Sequence, residues 1–265
     1  MPYESKHPVA LVTGASSGIG SSLSGVFAEH GCDLVLVARS EAALLETARR
    51  AEETFGSHVE VLVKDLSDRG TPEEIRRDLQ SRGITIDVLV NNAGLGDYGP
   101  FHLADWDKTR RMLDVNIGAL THLTRLFLPD MVARGRGHIL NIASTAAFMP
   151  GPLMSVYYAS KAFVLHFSEA VAEELRGTGV GVTAFCPGPV RTRFQSAAAM
   201  GESRLVKARA LATPDKVARD AYRAMAAGKV VAVQGKANYI ASMLPRFGPR
   251  SIVRKVTRFV QEQRT

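Results

Sequence analysis

The chain is 265 residues long, 46% hydrophobic, with a formal net charge of +7 and two cysteines. That length supplies one large domain with an ample core; no run of 18 apolar residues and no basic-then-apolar N-terminus occurs, so a membrane span and a secretory signal are set aside and a cytoplasmic protein is expected. The charge sits at one end, because residues 229–265 hold eight basic residues against one acid and the remainder cancels.

In chain order, Val9 to Val12 is a short apolar strand running into the turn Thr13-Gly14-Ala15-Ser16-Ser17-Gly18-Ile19-Gly20. A helix follows to about His30 and is stopped by Gly31. Asp33 to Ala38 reads as the second strand, Glu41 to about Phe55 as a helix and Val59 to Val63 as the third strand. Thr71-Pro72-Glu73-Glu74 predicts a helix start, with a capping threonine, proline in the first turn and glutamate at the capping-box position. Val88 to Val90 is the fourth strand, and one long helix is expected from about Asp105 to Met131. His138 to Ala143 is the fifth strand, which puts Ser144 at a strand end; from Ser155 onward the apolar spacing is helical. Gly181 to Phe185 is the sixth strand, Thr213-Pro214-Asp215 opens a helix to Ala227, and Val230 to Val233 is the seventh strand. Alternating apolar strands and helices predict an α/β fold, a single doubly wound Rossmann-type domain with a seven-stranded parallel sheet and helices on both faces. It occupies residues 1–235, and a basic amphipathic helical extension takes 236–265. Cys32 and Cys186 fall near strands without metal-ligand spacing, so they read as reduced thiols and no metal site is expected.

Ligands in such folds bind beyond the carboxyl ends of the strands, where the glycine turn lies. Its glycines let the backbone approach a pyrophosphate at a helix N-terminus. The spacing Gly14-x-x-x-Gly18-x-Gly20 matches neither the usual dinucleotide fingerprint nor a phosphate loop, and a purely structural turn is an equal reading of it alone. Downstream, Tyr157 and Lys161 stand one helical turn apart on one face. A free phenol, with a pKa of about 10, is a poor base at neutral pH, and a nearby ammonium pulls that value down. Taken alone, this is an ordinary helix-surface pair.

The motifs do not stand alone. Thr13 to Gly20, Asn91-Asn92-Ala93-Gly94, Asn116, Ser144, Tyr157-x-x-x-Lys161 and Pro187-Gly188, in this order, resemble the short-chain dehydrogenase/reductase family over residues 8 to about 233. The resemblance implies that Tyr157 gives a proton to a carbonyl in reduction and takes one in oxidation. It implies that Lys161 lowers the phenol pKa and binds the nicotinamide ribose, that Ser144 holds the substrate oxygen, and that Asn116 positions a water leading from Lys161 to solvent. Tyr158 falls outside the motif and is expected to pack or touch substrate. Gly14, Ser16, Ser17, Gly18, Ile19 and Gly20 would form the cofactor's glycine turn, with Asp65 and Leu66 beside the adenine. Asn92, Ala93 and Gly94 would line its ribose and backbone, and Pro187, Gly188, Val190 and Thr192 would be further contacts, Thr192 at the nicotinamide carboxamide. The second strand ends in Val37-Ala38 followed by Arg39 and Ser40, not in an acid that would hold a ribose 2′-OH. Arg39 suits a 2′-phosphate, so NADP(H) is the expected cofactor.

The expected function is an NADPH-dependent oxidoreductase interconverting a carbonyl and a secondary alcohol. Its substrate would be a medium-sized hydrophobic ketone or 3-oxoacyl thioester; the alternative is a non-catalytic NADP(H)-binding sensor. Met149, Leu153, Met154 and Phe194 are read as lining an apolar pocket, with residues 197–200 and 205–206 as a lid. Arg191, Arg193, Arg204, Lys207 and Arg209 read equally as contacts to an acidic carrier and as solvated lid charges. In the tail, Ile240, Met243, Leu244, Phe247, Ile252, Val253, Val256, Phe259 and Val260 interleave with basic residues. Three readings stay open there: an interfacial helix on an anionic membrane, a contact with a partner subunit, and packing on the chain's own body. Nucleic acid is not expected. By resemblance, copies pair through the helices at about 105–131 and 155–176, giving a homodimer or homotetramer.

Overall fold

Every residue of the first strand, β1 (Val9–Thr13), is buried, which requires both faces of its sheet to be covered. The computed structural model describes residues 7–192, 194 and 211–262. With β2 (Asp33–Ala38), β3 (Val59–Val63), β4 (Val88–Asn91), β5 (Gly137–Ile142), β6 (Val180–Cys186) and β7 (Val231–Val233), it forms one parallel sheet in the order β3-β2-β1-β4-β5-β6-β7. Chain direction across the sheet reverses between β1 and β4, so the switch-point crevice opens where the glycine turn leaves β1.

Among the described residues the helices are α1 (Gly18–Glu29), α2 (Glu41–Phe55), α3 (Thr71–Ser81), α4 (Trp106–Leu113), α5 (Leu120–Arg134), α6 (Ser155–Glu174), α7 (Pro214–Ala226), α8 (Lys236–Phe247) and α9 (Arg250–Gln261). Side chains alternate across the strands. Ala10 and Val12 join Leu23, Phe27, Leu44 and Val217 of α1, α2 and α7, whereas Val9 and Leu11 join Ile75, Leu123, Phe127 and Val171 of α3, α5 and α6. Complete burial of Phe27, Leu44 or Ile75 contributes about 1.5–3 kcal/mol each. The helix predicted at Thr213 has that residue as its cap, accepting from Lys216 N at 3.4 Å, with Pro214 in the first turn. Cys32 and Cys186 are both free, and burial pushes their thiols up to about 11 and about 12.

Two local expectations are corrected. Thr71 does not cap α3: its hydroxyl donates to the Asp65 carbonyl at 2.8 Å, and Gly70 stands at the cap. The single long helix from Asp105 to Met131 is instead three pieces, since Asp114–Ala119 between α4 and α5 widens into a π-helical segment holding Asn116. Such segments concentrate at functional sites because one residue's backbone is released to reposition its side chain. In the extension, α8 and α9 return to the body: α8 packs on the turn Thr145–Phe148, and Tyr98 Oη donates to the carbonyl of Gln261 at 2.8 Å. No helix among the described residues is long and apolar enough to cross a membrane.

Candidate active site

The glycine turn works because three positions lack a Cβ. Gly14 and Gly18 hold φ of +66° and +56°, left-handed backbone that side chains disfavour. A Cβ on Gly20 would overlap the Gly14 carbonyl oxygen. Thr13, buried at the end of β1, pins the neighbouring loop: its Oγ1 donates to Val90 O at 3.2 Å and accepts from the amides of Asn92 and Ala93, each at 3.0 Å. Asn92 reaches back, its Nδ2 donating to Thr13 O at 2.8 Å and Gly14 O at 3.3 Å. Among the described residues Ser17 makes no side-chain cap to α1, so the first amides of that helix remain available to an anion in the crevice.

At the far end of β2, Arg39 is 58% exposed and its guanidinium lies 3.9 Å from Asp65, which also pairs with Arg111 at 3.1 Å. Burial works against charge on Asp65. Hydrogen bonds from Ser67 and the two arginines outweigh it and hold the carboxyl below its usual range. The glycine turn, the α1 N-terminus and Arg39 together fit a dinucleotide with a terminal phosphate: a backbone cradle that side chains would fill, then a cation where the adenosine end would lie.

The reacting end is built from β5, the π-helical segment and α6. Ser144 follows β5, and its Oγ accepts from Ala146 N at 3.1 Å. Lys161 is buried on α6 and its Nζ donates to Ile142 O at 2.7 Å. Burial lowers its pKa to about 8. Tyr157, one turn before it, is pushed up to about 12 by burial, while a hydrogen bond with Ser144 pulls the other way. Lys161 Nζ lies 5.9 Å from the Tyr157 ring centroid, and burial outweighs the Ser144 hydrogen bond in setting the direction of the phenol's shift. Asn116 clamps the loop after β4, accepting from Leu95 N at 2.8 Å and donating to Leu95 O and Ser160 Oγ, each at 3.0 Å. Its Oδ1 and Lys161 Nζ would both lie 3.5 Å from a Cβ on Gly94, so the two groups converge there.

One cleft of about 510 Å³ joins the two ends. It is lined by every residue expected in the site except Gly20 and Asn116, which act from behind it. Thr192 sits on Gly18, within 3.0 Å of where a Cβ would be, and Val190 bridges to Ala212. Gly188 lies under Asn238 of α8, which a side chain there would displace. Of the expected substrate pocket, Met154 and Phe194 line the cleft, the Phe194 ring 5.2 Å from that of Tyr157. Residues 193 and 195–210, including the expected lid and Arg193, Arg204, Lys207 and Arg209, lie outside the described residues. Sequence reasoning missed Gln261, which reaches the cleft from α9 and whose Nε2 donates to the Tyr158 hydroxyl. A glutamine near the end of a basic tail carries no local signal of such a contact.

Residues 8–202 match the family model described as short chain dehydrogenase. A very-long-chain 3-oxoacyl-CoA reductase of Anas platyrhynchos is 38% identical over 190 residues, covering 70% of this chain and 60% of that protein. The NADP-dependent 3-hydroxy acid dehydrogenase YdfG of Salmonella typhi is 38% identical over 196 residues, 73% of this chain and 77% of its own. Among solved structures, a short-chain dehydrogenase from Sphingobium yanoikuyae in complex with NADPH superposes with a TM-score of 0.80 at 33% identity, covering 94% of this chain and 97% of that one. The chain thus spans less than two thirds of the first of these relatives.

Proposed function

Because this chain belongs to the short-chain dehydrogenase/reductase family, we propose that it is an NADPH-dependent carbonyl reductase acting on hydrophobic ketones or 3-oxoacyl thioesters. The observation that carries this reading is the convergence of Ser144, Tyr157 and Lys161 on the same cleft as the glycine turn and Arg39. NADPH, when bound, supplies the hydride. The glycine turn and the α1 N-terminus would hold its pyrophosphate, Arg39 its 2′-phosphate, and Asp65 and Leu66 its adenine end. Ser144 holds the substrate carbonyl oxygen by a hydrogen bond. Tyr157 hands its proton to that oxygen as negative charge gathers there. Burial raises the Tyr157 phenol above its ordinary value, so at neutral pH it is protonated and enters the reduction as the acid. Lys161 keeps most of its charge at pH 7 and, with Asn116 beside Gly94, stands on the route by which the phenol recovers a proton. Two relatives named for 3-oxoacyl and 3-hydroxy acid substrates support the substrate class, as does the apolar end formed by Met154 and Phe194. A panel of ketones, acyl thioesters and steroids, followed by NADPH absorbance, tests the reading. Tyr157→Phe should lower kcat by about 10²- to 10⁴-fold with NADPH affinity kept; near-normal turnover in that variant refutes the assignment.

We also propose that the extension, residues 236–265, rests on an anionic membrane. Ile240, Leu244, Phe247, Ile252 and Val256 are exposed on α8 and α9. Around them stand Arg246, Arg250, Arg254 and Lys255, a charge pattern that suits anionic lipid and repels a second copy of itself. Sedimentation of the full chain with anionic and with neutral vesicles tests this. Pelleting confined to anionic vesicles and lost in Ile252→Glu/Val256→Glu is expected; equal pelleting refutes it. Pairing of copies through α5 and α6, where Phe163 stacks on Phe167 and is partly exposed, is the accompanying reading for assembly. A sedimentation-velocity mass of one chain would overturn it.

A further inference from the structure

At the adenosine end of the cleft, Arg39 stands beside a carboxylate that works against its task. Asp65 puts a negative charge next to where a 2′-phosphate would lie, and it is close enough to hold the same guanidinium. Its two oxygens are used differently. Oδ1 accepts from Ser67 N at 2.9 Å and from Ser67 Oγ at 2.8 Å. Oδ2 is shared by two cations: Arg111 Nη2 donates to it at 3.1 Å, while Arg39 Nη1 lies 3.9 Å away, beyond hydrogen-bond range. Arg111 therefore holds the oxygen, and Arg39 keeps its donors for the cleft.

The other charges around this carboxylate are already matched. Lys64 lines the cleft next to Asp65 but is paired with Glu74 at 2.7 Å and Asp78 at 3.7 Å. Asp114, close after Arg111 in the chain, is held by Arg69 at 3.0 Å and Arg110 at 3.8 Å. Arg111 itself comes from the last turn of α4, behind the cleft and not in its lining, and among the described residues its ion-pair partner is Asp65. Arg39 and Asp65 alone cancel each other; Arg111 leaves the trio with a surplus of positive charge. A phosphate monoester brings about −1.5 to −2 at neutral pH, so that surplus is what it would meet.

We propose that Arg111 is a specificity-determining residue for NADP(H), acting through Asp65: by occupying Oδ2 it keeps that carboxylate from capturing Arg39 and offsets its repulsion of the 2′-phosphate. The inference deepens the reading of Arg39 as the phosphate contact and rests on it. NAD(H) carries a neutral hydroxyl at that position, so its affinity is indifferent to the charge Arg111 supplies. Arg111 and Asp65 are 44% and 39% exposed, and solvent screening keeps the effect moderate.

The test measures dissociation constants of NADPH and NADH, which differ only in that phosphate, on the full chain by cofactor fluorescence and without substrate. Arg111→Leu should lower the preference for NADPH about three- to tenfold and leave NADH affinity unchanged. In an Asp65→Asn background, where Oδ1 still serves Ser67, the same substitution should change the preference by less than about twofold. An unchanged preference in Arg111→Leu, an equal loss for both cofactors, or an equal fall in the Asp65→Asn background overturns the proposal. Should Asp65→Asn fail to fold, the two cofactors on Arg111→Leu decide by themselves. Arg39→Leu separates this inference from the reading beneath it. Preference lost in Arg39→Leu but kept in Arg111→Leu refutes the role of Arg111 alone; preference kept in Arg39→Leu refutes the phosphate contact, and the proposal falls with it.

Discussion

Replacing Thr13 by valine keeps the side chain's shape and removes the hydroxyl that ties the glycine turn to the loop after β4. Three hydrogen bonds disappear: donation to Val90 O at 3.2 Å, and acceptance from the amides of Asn92 and Ala93, each at 3.0 Å. Asn92 N retains a second contact, to Val90 O at 3.1 Å, so the Ala93 amide bears most of the loss. At about 1 kcal/mol net per bond, Thr13→Val should cost about 3 kcal/mol. For a chain of this size that corresponds to a fall in Tm of about 6–12 °C. Thr13→Ser, which keeps the hydroxyl, should lose much less. Calorimetry on the three proteins gives the stabilities, and titration of NADPH fluorescence gives the cofactor affinity. That affinity should fall with Thr13→Val, because Asn92 and Gly14 share the same junction. A Tm for Thr13→Val within 1 °C of the parent, or equal losses for valine and serine, would show that the hydroxyl does not hold this junction.

Arg39→Asp puts a carboxylate where a 2′-phosphate would lie, and should reduce the ratio of kcat/KM for NADPH over NADH by about 10- to 100-fold; an unchanged ratio in steady-state assays argues against Arg39 as the phosphate contact. His138 gives a pH signature: burial lowers its pKa from 6.5 to about 4 in the folded chain. The unfolded chain therefore takes up its proton first, and wild-type stability falls as pH drops from about 6.5 to about 4, then levels. His138→Leu should gain on the parent by up to about 3 kcal/mol across that window in urea titrations, since Thr183 keeps its bond to Lys229 O; a difference that is flat with pH would sink this account.

Much of the fold was legible because it is local. Strict apolar runs and turn residues placed β2, α2 and β3 at the very bounds the structure has. They placed Thr213 at the head of α7, and the glycine turn and Ser144 at strand ends, where a parallel sheet opens. The spacing of Tyr157 and Lys161 follows from helix geometry alone. What the sequence left open depends on partners far along the chain. The helix holding Asn116 widens where that side chain binds Leu95, 21 residues back, and Ser160, 44 residues on. Thr71 gives its hydroxyl to Asp65 instead of capping its own helix. Tyr157 is governed by how deeply the surrounding elements bury it, a property no i,i+4 pattern encodes. Gln261 reaches Tyr158 across 103 residues and Tyr98 across 163. Periodicity reports which way a residue faces on its own element; only the assembled chain decides what stands opposite, and desolvation and hydrogen bonding act on that pairing.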